Sequence, residues 1–141
     1  MDWDLQHFDD FCTSKELRGK LNANGSDRFI RLYRQSKGKG NSWSVRFGAH
    51  LVRSGMMTVY PRTSYIKSIG CDASGIHCST DDAVTMQVDL SKAIPDFHPE
   101  RLEVDPILQR ALKKHYSGGM VSEIKRMAAT IVIVIKERFK A

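Results

Sequence analysis

The chain has 141 residues, of which 41% are hydrophobic and 27% charged; this predicts one domain with a modest core and argues against a disordered chain, a collagen-like repeat or a coiled coil. It has no apolar stretch of about 18 residues and no signal-peptide pattern at its acidic start, so we expect a cytoplasmic protein without a transmembrane segment. Three cysteines are an odd number, which disfavours a disulfide framework.

Positive charge is concentrated in two parts of the chain, and the formal net charge is +6. Residues 15–67 carry twelve basic and two acidic side chains, and residues 110–141 carry eight and two. Such blocks can attract nucleic acid, acidic lipid or a phosphorylated ligand, but they are also typical of solvated helix faces. Because no zinc-finger spacing or RNA-recognition motif accompanies them, we expect no nucleic-acid partner.

Helices are predicted for most of the first half of the chain. Apolar residues at helical spacing indicate a partly helical segment over 5–21, followed by a turn. Ser26 or Asp27 can cap a helix that ends near Ser36, because a short side-chain oxygen accepts from free backbone N–H groups.

The next elements are one helix and two short strands. A helix is expected from Asn41 or Ser42 to Gly55, where glycine suits a C-terminal cap with positive φ. Residues 57–60 and 64–69 predict short extended strands, the first of them ended by a proline that cannot donate to a sheet ladder.

The last part of the chain predicts one more strand and two helices. Residues 81–90 alternate weakly and indicate a strand. Asp105 followed by proline is a favourable helix start, and that helix is expected to end near Tyr116. Residues 120–139 place apolar side chains on one helical face, although the β-branched run over 131–135 also suits a strand. A small sheet cannot easily satisfy its own edges, so these short strands are expected to belong to a larger sheet.

One segment carries a family resemblance. Residues 41–78 read NSWSVRFGAHLVRSGMMTVYPRTSYIKSIGCDASGIHC. The blocks 38–47 and 59–78 resemble the GKIDSWAIRW and IYP..S.V.NIG.DGSGTHC blocks of a bacterial group of family-two glycosyltransferases, which have the GT-A fold. Gly25-Ser26-Asp27 resembles a GGSD element of the same group. The resemblance covers roughly residues 1–80.

The resemblance implies both a fold and an activity. It predicts an α/β fold, mostly helical with a few short strands, that forms the C-terminal, acceptor-side portion of a GT-A-like fold over residues 1–90, with residues 91–141 as a helical tail packing on it. It implies inverting transfer of a sugar from a nucleotide-diphosphate donor to a saccharide or lipid-linked acceptor. A divalent cation, Mg²⁺ or Mn²⁺, would offset the charge that develops on the leaving diphosphate.

The position of the catalytic base is altered in this chain. The resemblance implies a carboxylate at position 41, with Arg46 holding a diphosphate or a carboxylate. Asn41 carries an amide there, which cannot accept a proton at neutral pH. Asn41 also suits an N-cap, and both interpretations can hold together. Asp27 is the nearest acidic alternative along the chain.

Three further residues are candidates for binding. Trp43 could stack on an acceptor sugar or belong to the core, and it shares a helical face with Phe47 and His50. The resemblance implies that Asp72 and His77 bind the diphosphate or its metal ion. The alternative is that they are an ordinary loop aspartate and histidine.

The donor-binding half of the family has no counterpart in this sequence. Asp2-Trp3-Asp4 has the letters of a DxD metal motif but no preceding apolar strand. We therefore expect a glycosyltransferase-like fragment with little activity alone, whose donor half could lie on a separate chain. The alternative is a small basic binding or accessory module that docks on a protein or an anionic ligand. Residues 91–141 are expected to pack on the core or, alternatively, to rest at the membrane periphery.

Overall fold

The computed structural model describes residues 2–23, 25–59 and 103–140, and in these ranges the chain forms six helices. The helices are α1 (Phe8–Thr13), α2 (Lys15–Leu21), α3 (Arg28–Ser36), α4 (Trp43–Arg53), α5 (Pro106–Ser117) and α6 (Met120–Arg138). All six belong to one compact unit built from residues 1–57 and 103–141.

The helical segment predicted over 5–21 is divided into two short helices at Ser14. This residue is extended, and its hydroxyl accepts a hydrogen bond from the Leu17 N–H at 3.1 Å, which caps α2. The Arg18 guanidinium donates to the carbonyl oxygens of Phe11 and Cys12 at 2.7 and 2.9 Å. The break is stable because side chains satisfy the backbone groups that both helix ends leave free.

The predicted helices α3 and α4 are confirmed, but their N-terminal caps differ from the prediction. Asp27 occupies the N-cap position of α3 without a side-chain cap bond, and its carboxylate pairs with Arg31 instead. The N-cap of α4 is Ser42, so Asn41 does not cap this helix. Gly55 has φ +66°, as its predicted position after α4 requires.

The two C-terminal helices are also confirmed. Asp105 caps α5 by accepting from the N–H groups of Ile107 and Leu108 at 2.8 and 3.1 Å. The β-branched run over 131–135 lies inside α6, so the strand alternative for this run is wrong.

The core is centred on α3. Phe29 and Leu32 are fully buried, and the rings of Phe8 and Phe29 stack with their centroids 6.0 Å apart. Neighbouring elements contribute the other buried apolar side chains, which are Phe11, Cys12, Leu21, Val45, Ala49 and Ile133.

The predicted α/β, GT-A-like fold class is wrong for the part of the chain that the structure describes. Of these residues, 67% are helical and none lies in a strand. Residues 57–59, predicted to begin a strand, are not part of a sheet. The strongest β-branched run, residues 131–135, is helical and lies in α6. The tertiary contacts of this helix outweigh the weak helix propensity of the run. The strand candidates 64–69 and 81–90 lie outside the described residues.

The apolar pattern of α6 predicts that its apolar side faces the core. In the structure the opposite side of α6 packs on α1 and α3. Ile133 is buried, whereas Ile131 and Ile135 are 59% and 51% exposed. Polar contacts hold the inward side: the Arg126 guanidinium donates to the Ser26 hydroxyl at 2.8 Å, and Glu137 accepts from Lys37. Among the helices of the described ranges, none combines the length and apolar character that crossing a bilayer requires.

Candidate functional site

The outward side of α4 carries two neighbouring aromatic side chains. Val45 and Ala49 face the core, which turns Trp43 and Phe47 to the surface, where they are 65% and 41% exposed. Their ring centroids lie 6.2 Å apart with the planes tilted by 46°. The exposure excludes a core role for Trp43, and the pair forms an open aromatic platform.

Asn41 and Arg46 lie together at the start of the same helix. The Arg46 Nη1 donates to the Asn41 Oδ1 at 3.1 Å. The Arg46 Nε is buried and makes no hydrogen bond with the described residues. The structure therefore brings the arginine next to the position where the family resemblance implies a carboxylate, and the amide takes the place of an ion-pair partner.

A groove of about 370 Å³ lies between the N-terminal segment, residues 2–7, and α4. Pockets that hold small ligands have volumes of about 300–1,000 Å³, so the groove is large enough for one sugar unit. Seven side chains line it, namely Asp2, Trp3, Asp4, Gln6, His7, His50 and Arg53. A smaller cavity beside it shares four of these residues and is also lined by Arg46.

The N-terminal segment is held in place by Asp2. Its two carboxylate oxygens accept from the backbone N–H groups of Gln6 and His7 at 3.0 and 2.9 Å. Burial alone would raise the pKa of Asp2, but the backbone hydrogen bonds from His7 and Gln6 lower it below its usual value. Leu5 turns the segment with φ +56° while its side chain packs against the core.

An ion pair fixes the opposite wall of the groove. Arg53, in the last turn of α4, has its Nε 2.6 Å from the Asp10 Oδ2 on α1. This contact ties α4 to the helix that follows the N-terminal segment. The Asp2 hydrogen bonds thus hold the N-terminal segment in its own fold, and the Arg53–Asp10 pair ties α4 to the helix after that segment.

The groove offers groups that suit a polyhydroxylated ligand. The exposed Asp4 carboxylate makes no hydrogen bond or ion pair in the described part of the chain, so it is available as an acceptor. His7 and His50 can each donate and accept, and Trp3 presents an exposed indole. Sugar hydroxyls also both donate and accept, and the C–H faces of sugars suit flat apolar rings.

No metal centre is found within residues 2–23, 25–59 and 103–140, where no three His, Cys, Asp or Glu side chains converge on one point. The predicted ligands of the diphosphate or metal, Asp72 and His77, lie outside the described residues. Both oxygens of Asp2 are already engaged by backbone N–H groups. The expected Mg²⁺ or Mn²⁺ therefore has no described site.

The sequence prediction missed the residues that form the groove itself. Trp3 and Asp4 were considered only as letters of a metal motif, which they do not form. His50 was placed on the Trp43 face by helical spacing but was given no role. Two features of the sequence point to the groove. His50 shares a helical face with Trp43, and residues 2–4 form an acidic, aromatic segment.

Comparisons with protein-family models, with curated proteins and with solved structures found no match to this chain. A functional assignment therefore depends on the groove, the aromatic pair and the resemblance of the two sequence blocks.

Proposed function

We propose that this chain binds a saccharide in the groove between residues 2–7 and α4, as the acceptor-binding segment of a glycosyltransferase-like protein with little transfer activity alone. One observation carries the proposal: the polar groove lies against the same helix that exposes Trp43 and Phe47. The proposed partners are a nucleotide sugar, a glycan acceptor and a separate chain that carries the donor-binding half. A cytoplasmic location belongs to the same proposal.

The aromatic platform of Trp43 and Phe47 supports saccharide binding because its rings are exposed and do not belong to the core. Trp43 exposes a large apolar ring to water, and covering that ring with a sugar face removes apolar area from solvent. Trp43 and Phe47 do not line the groove itself, where the exposed Trp3 indole lies with the groups that accept and donate hydrogen bonds. This combination of stacking and polar contacts gives both affinity and orientation.

The same geometry supports the expectation of weak transfer by the chain alone. Transfer requires a carboxylate that removes the proton of the acceptor hydroxyl, and Asn41 cannot do so. Asp27 is engaged with Arg31 at 2.7 Å. Asp72 and His77 remain the proposed ligands of the diphosphate and its divalent cation, which would stabilise the leaving group.

The alternative function is docking on a protein or an anionic ligand through the basic block over 15–67. The contacts that the block makes within the protein argue against this alternative. Six of its basic side chains are already engaged within the protein: Arg18, Lys20, Arg31, Lys37, Arg46 and Arg53. Their partners include four carboxylates that neutralise charge. Asp10 and Glu137 come from outside the block, so the block presents somewhat less free positive charge than its composition indicates.

Intrinsic fluorescence tests the proposal directly, because the chain has two tryptophans and they are Trp3 and Trp43. The full chain is titrated with hexoses, N-acetylhexosamines and short oligosaccharides. We expect a saturable change for at least one of them, weakened about tenfold by Trp3→Ala and retained by Trp3→Phe, because Trp3 lines the groove and stacking needs only an aromatic ring. Lys20→Ala is the control, since Lys20 lies on α2 and does not line the groove.

Two results would contradict the proposal. The first is the absence of any saccharide-dependent change in fluorescence or in the amide NMR signals of the groove residues. The second is equal affinity of wild type and Trp3→Ala. Rapid release of nucleotide from a nucleotide sugar by the chain alone, with Mg²⁺ and acceptor present, would contradict the expected low activity.

A further inference from the structure

Helix α6 presents an apolar side to solvent along its whole length of about 28 Å. We call this the exposed apolar face. Its members recur at spacings of three and four residues, which places them on one side of the helix. All are classed as exposed: Met120, Val121, Ile124, Met127, Ala128, Ile131, Val132, Ile135 and Phe139.

The opposite side of α6 is fixed to the core, so the exposed apolar face cannot turn inward without breaking several contacts. Ile133 is buried in the core cluster. The Glu137 carboxylate accepts from Lys37 at 2.8 Å, and Arg126 donates to Ser26 at 2.8 Å. The outward direction of the face is therefore a property of the folded unit.

The part of the chain that carries this face is rich in exposed positive charge. Seven of the eight basic residues in 110–141 are exposed: Arg110, Lys113, Lys114, Lys125, Lys136, Arg138 and Lys140. The two acidic residues in that range are Glu123 and Glu137, and the latter is engaged by Lys37. A partner that matches this surface is apolar along the face and anionic at its basic border.

Two lysines are well placed at the border of the face. Lys125 and Lys136 are about three turns apart on the same edge of α6, next to Val132. Neither is paired with an acidic side chain in the part of the chain that the structure describes. Their aliphatic stems can lie along apolar surface while the ammonium groups reach phosphate oxygens.

We propose that α6 lies in the plane of an anionic lipid surface, with the exposed apolar face in the interfacial layer and the basic residues on lipid phosphates. This geometry is that of amphipathic helices that bind membranes without crossing them. A second copy of the chain fits less well, because face-to-face packing would bring two sets of cations together. The proposal goes beyond saccharide binding and does not depend on it.

Vesicle flotation of the full chain tests the proposal. We expect binding to vesicles of phosphatidylcholine mixed with phosphatidylglycerol, little binding to phosphatidylcholine alone, and weaker binding at high salt. The double variant Ile131→Gln/Ile135→Gln should weaken partitioning about tenfold or more, since two apolar side chains leave the interface. Its helix content should stay unchanged because both positions are exposed.

Matched variants separate the two contributions. Met56→Gln/Met57→Gln removes two exposed apolar side chains outside α6 and should bind vesicles as the wild type does. Lys125→Gln/Lys136→Gln should weaken binding to the anionic vesicles and flatten its salt dependence. In a background without the native tryptophans, Ile131→Trp should show a blue-shifted emission on vesicle addition, and Met57→Trp should not.

Three outcomes would overturn the proposal. One is equal partitioning of the wild type and the Ile131→Gln/Ile135→Gln variant. Another is equal binding to neutral and anionic vesicles. The third is a concentration-dependent dimer that the isoleucine variant disrupts, in the absence of vesicle binding, which would assign the face to self-association.

Discussion

The Lys37 ammonium lies 2.8 Å from the Glu137 carboxylate, although 100 residues separate them in the sequence. Lys37 follows the end of α3, and Glu137 lies in the last turn of α6. The Glu137 side chain is only 9% exposed, and the ammonium also lies over the Tyr33 ring, 5.4 Å from its centroid. The pair therefore attaches the last helix to the core.

This ion pair should make stability depend on pH at both ends of the range. The hydrogen bond with Lys37 lowers the pKa of Glu137 below 4.5, and the same bond raises the pKa of Lys37 above 10.5. The contribution is thus complete between these two values, and is lost as the pH falls through the lowered pKa of Glu137 or rises through the raised pKa of Lys37. Near neutral pH we expect Glu137→Gln to lower the free energy of unfolding by about 1 kcal/mol in urea titrations.

The control for this prediction is the exposed Lys20–Glu16 pair on α2, where Glu16→Gln should have little effect. As the pH falls through the lowered pKa of Glu137, the difference between wild type and Glu137→Gln should shrink, because the wild-type carboxyl then becomes neutral like the glutamine amide. A difference that is constant with pH would show that the pair does not carry the effect.

A second prediction tests which side of α6 faces the core. Ile133→Ala should lower the free energy of unfolding by about 2–3 kcal/mol, because it leaves a cavity among buried side chains. Ile135→Ala removes the same atoms from the same helix but from an exposed position, and it should change stability by less than about 0.5 kcal/mol. Equal effects in thermal or urea unfolding would mean that α6 packs in another orientation.

A third prediction uses two glycines with opposite backbone roles. Gly55 has φ +66° and open space around its Cα, so Gly55→Ala should cost about 1 kcal/mol through backbone strain alone. Gly19 is an exposed residue inside α2 with open space for a methyl group, so Gly19→Ala should stabilise by about 0.5–1 kcal/mol. Calorimetric unfolding of both variants measures the two signs, and a destabilising Gly19→Ala would contradict the helix assignment there.

A fourth prediction concerns the altered base position. Asn41→Asp would place a carboxyl where the Arg46 guanidinium now donates to an amide oxygen at 3.1 Å. The guanidinium should hold the pKa of the introduced carboxyl below the usual value of about 3.9, as measured by NMR titration. Adding Arg46→Met should return this pKa to its usual range, and no response to that second change would show that the two side chains do not interact.

A fifth prediction concerns the buried thiol. Burial, with the nearby charges of Asp9 and Glu137, raises the pKa of Cys12 to about 11. In a Cys71→Ser/Cys78→Ser background we expect iodoacetamide to leave Cys12 unmodified in the folded protein near pH 8 and to alkylate it in urea. Mass spectrometry gives the readout, and fast alkylation without urea would mean that α1 opens readily.

Local features of this fold could be predicted from the sequence because few residues determine each of them. Asp105 caps α5 and Gly55 adopts positive φ through interactions within a few residues. The break at Ser14 was missed because the apolar spacing continues across it, while the capping bonds that stabilise the break depend on side-chain geometry.

Non-local features were the ones that sequence patterns missed. Periodicity shows which residues of α6 share a face, but the side that turns inward is set by Lys37, Ser26 and the core around Ile133. The same limit applies to the groove. Trp43 and Arg46 were identified within one helix, whereas Trp3 and Asp4 meet His50 and Arg53 only through the fold of the N-terminal segment.

Helix α6 follows the other described helices in the sequence, and this order affects how the protein folds during synthesis. Helices α1 to α4 emerge from the ribosome long before Ile133 and Glu137, and until then the α1–α3 surface that α6 covers stays open to solvent. Closing the core requires contacts across most of the sequence, which is slow relative to local helix formation. The nascent chain is therefore expected to expose apolar surface during this interval, when chaperone binding or aggregation competes with folding.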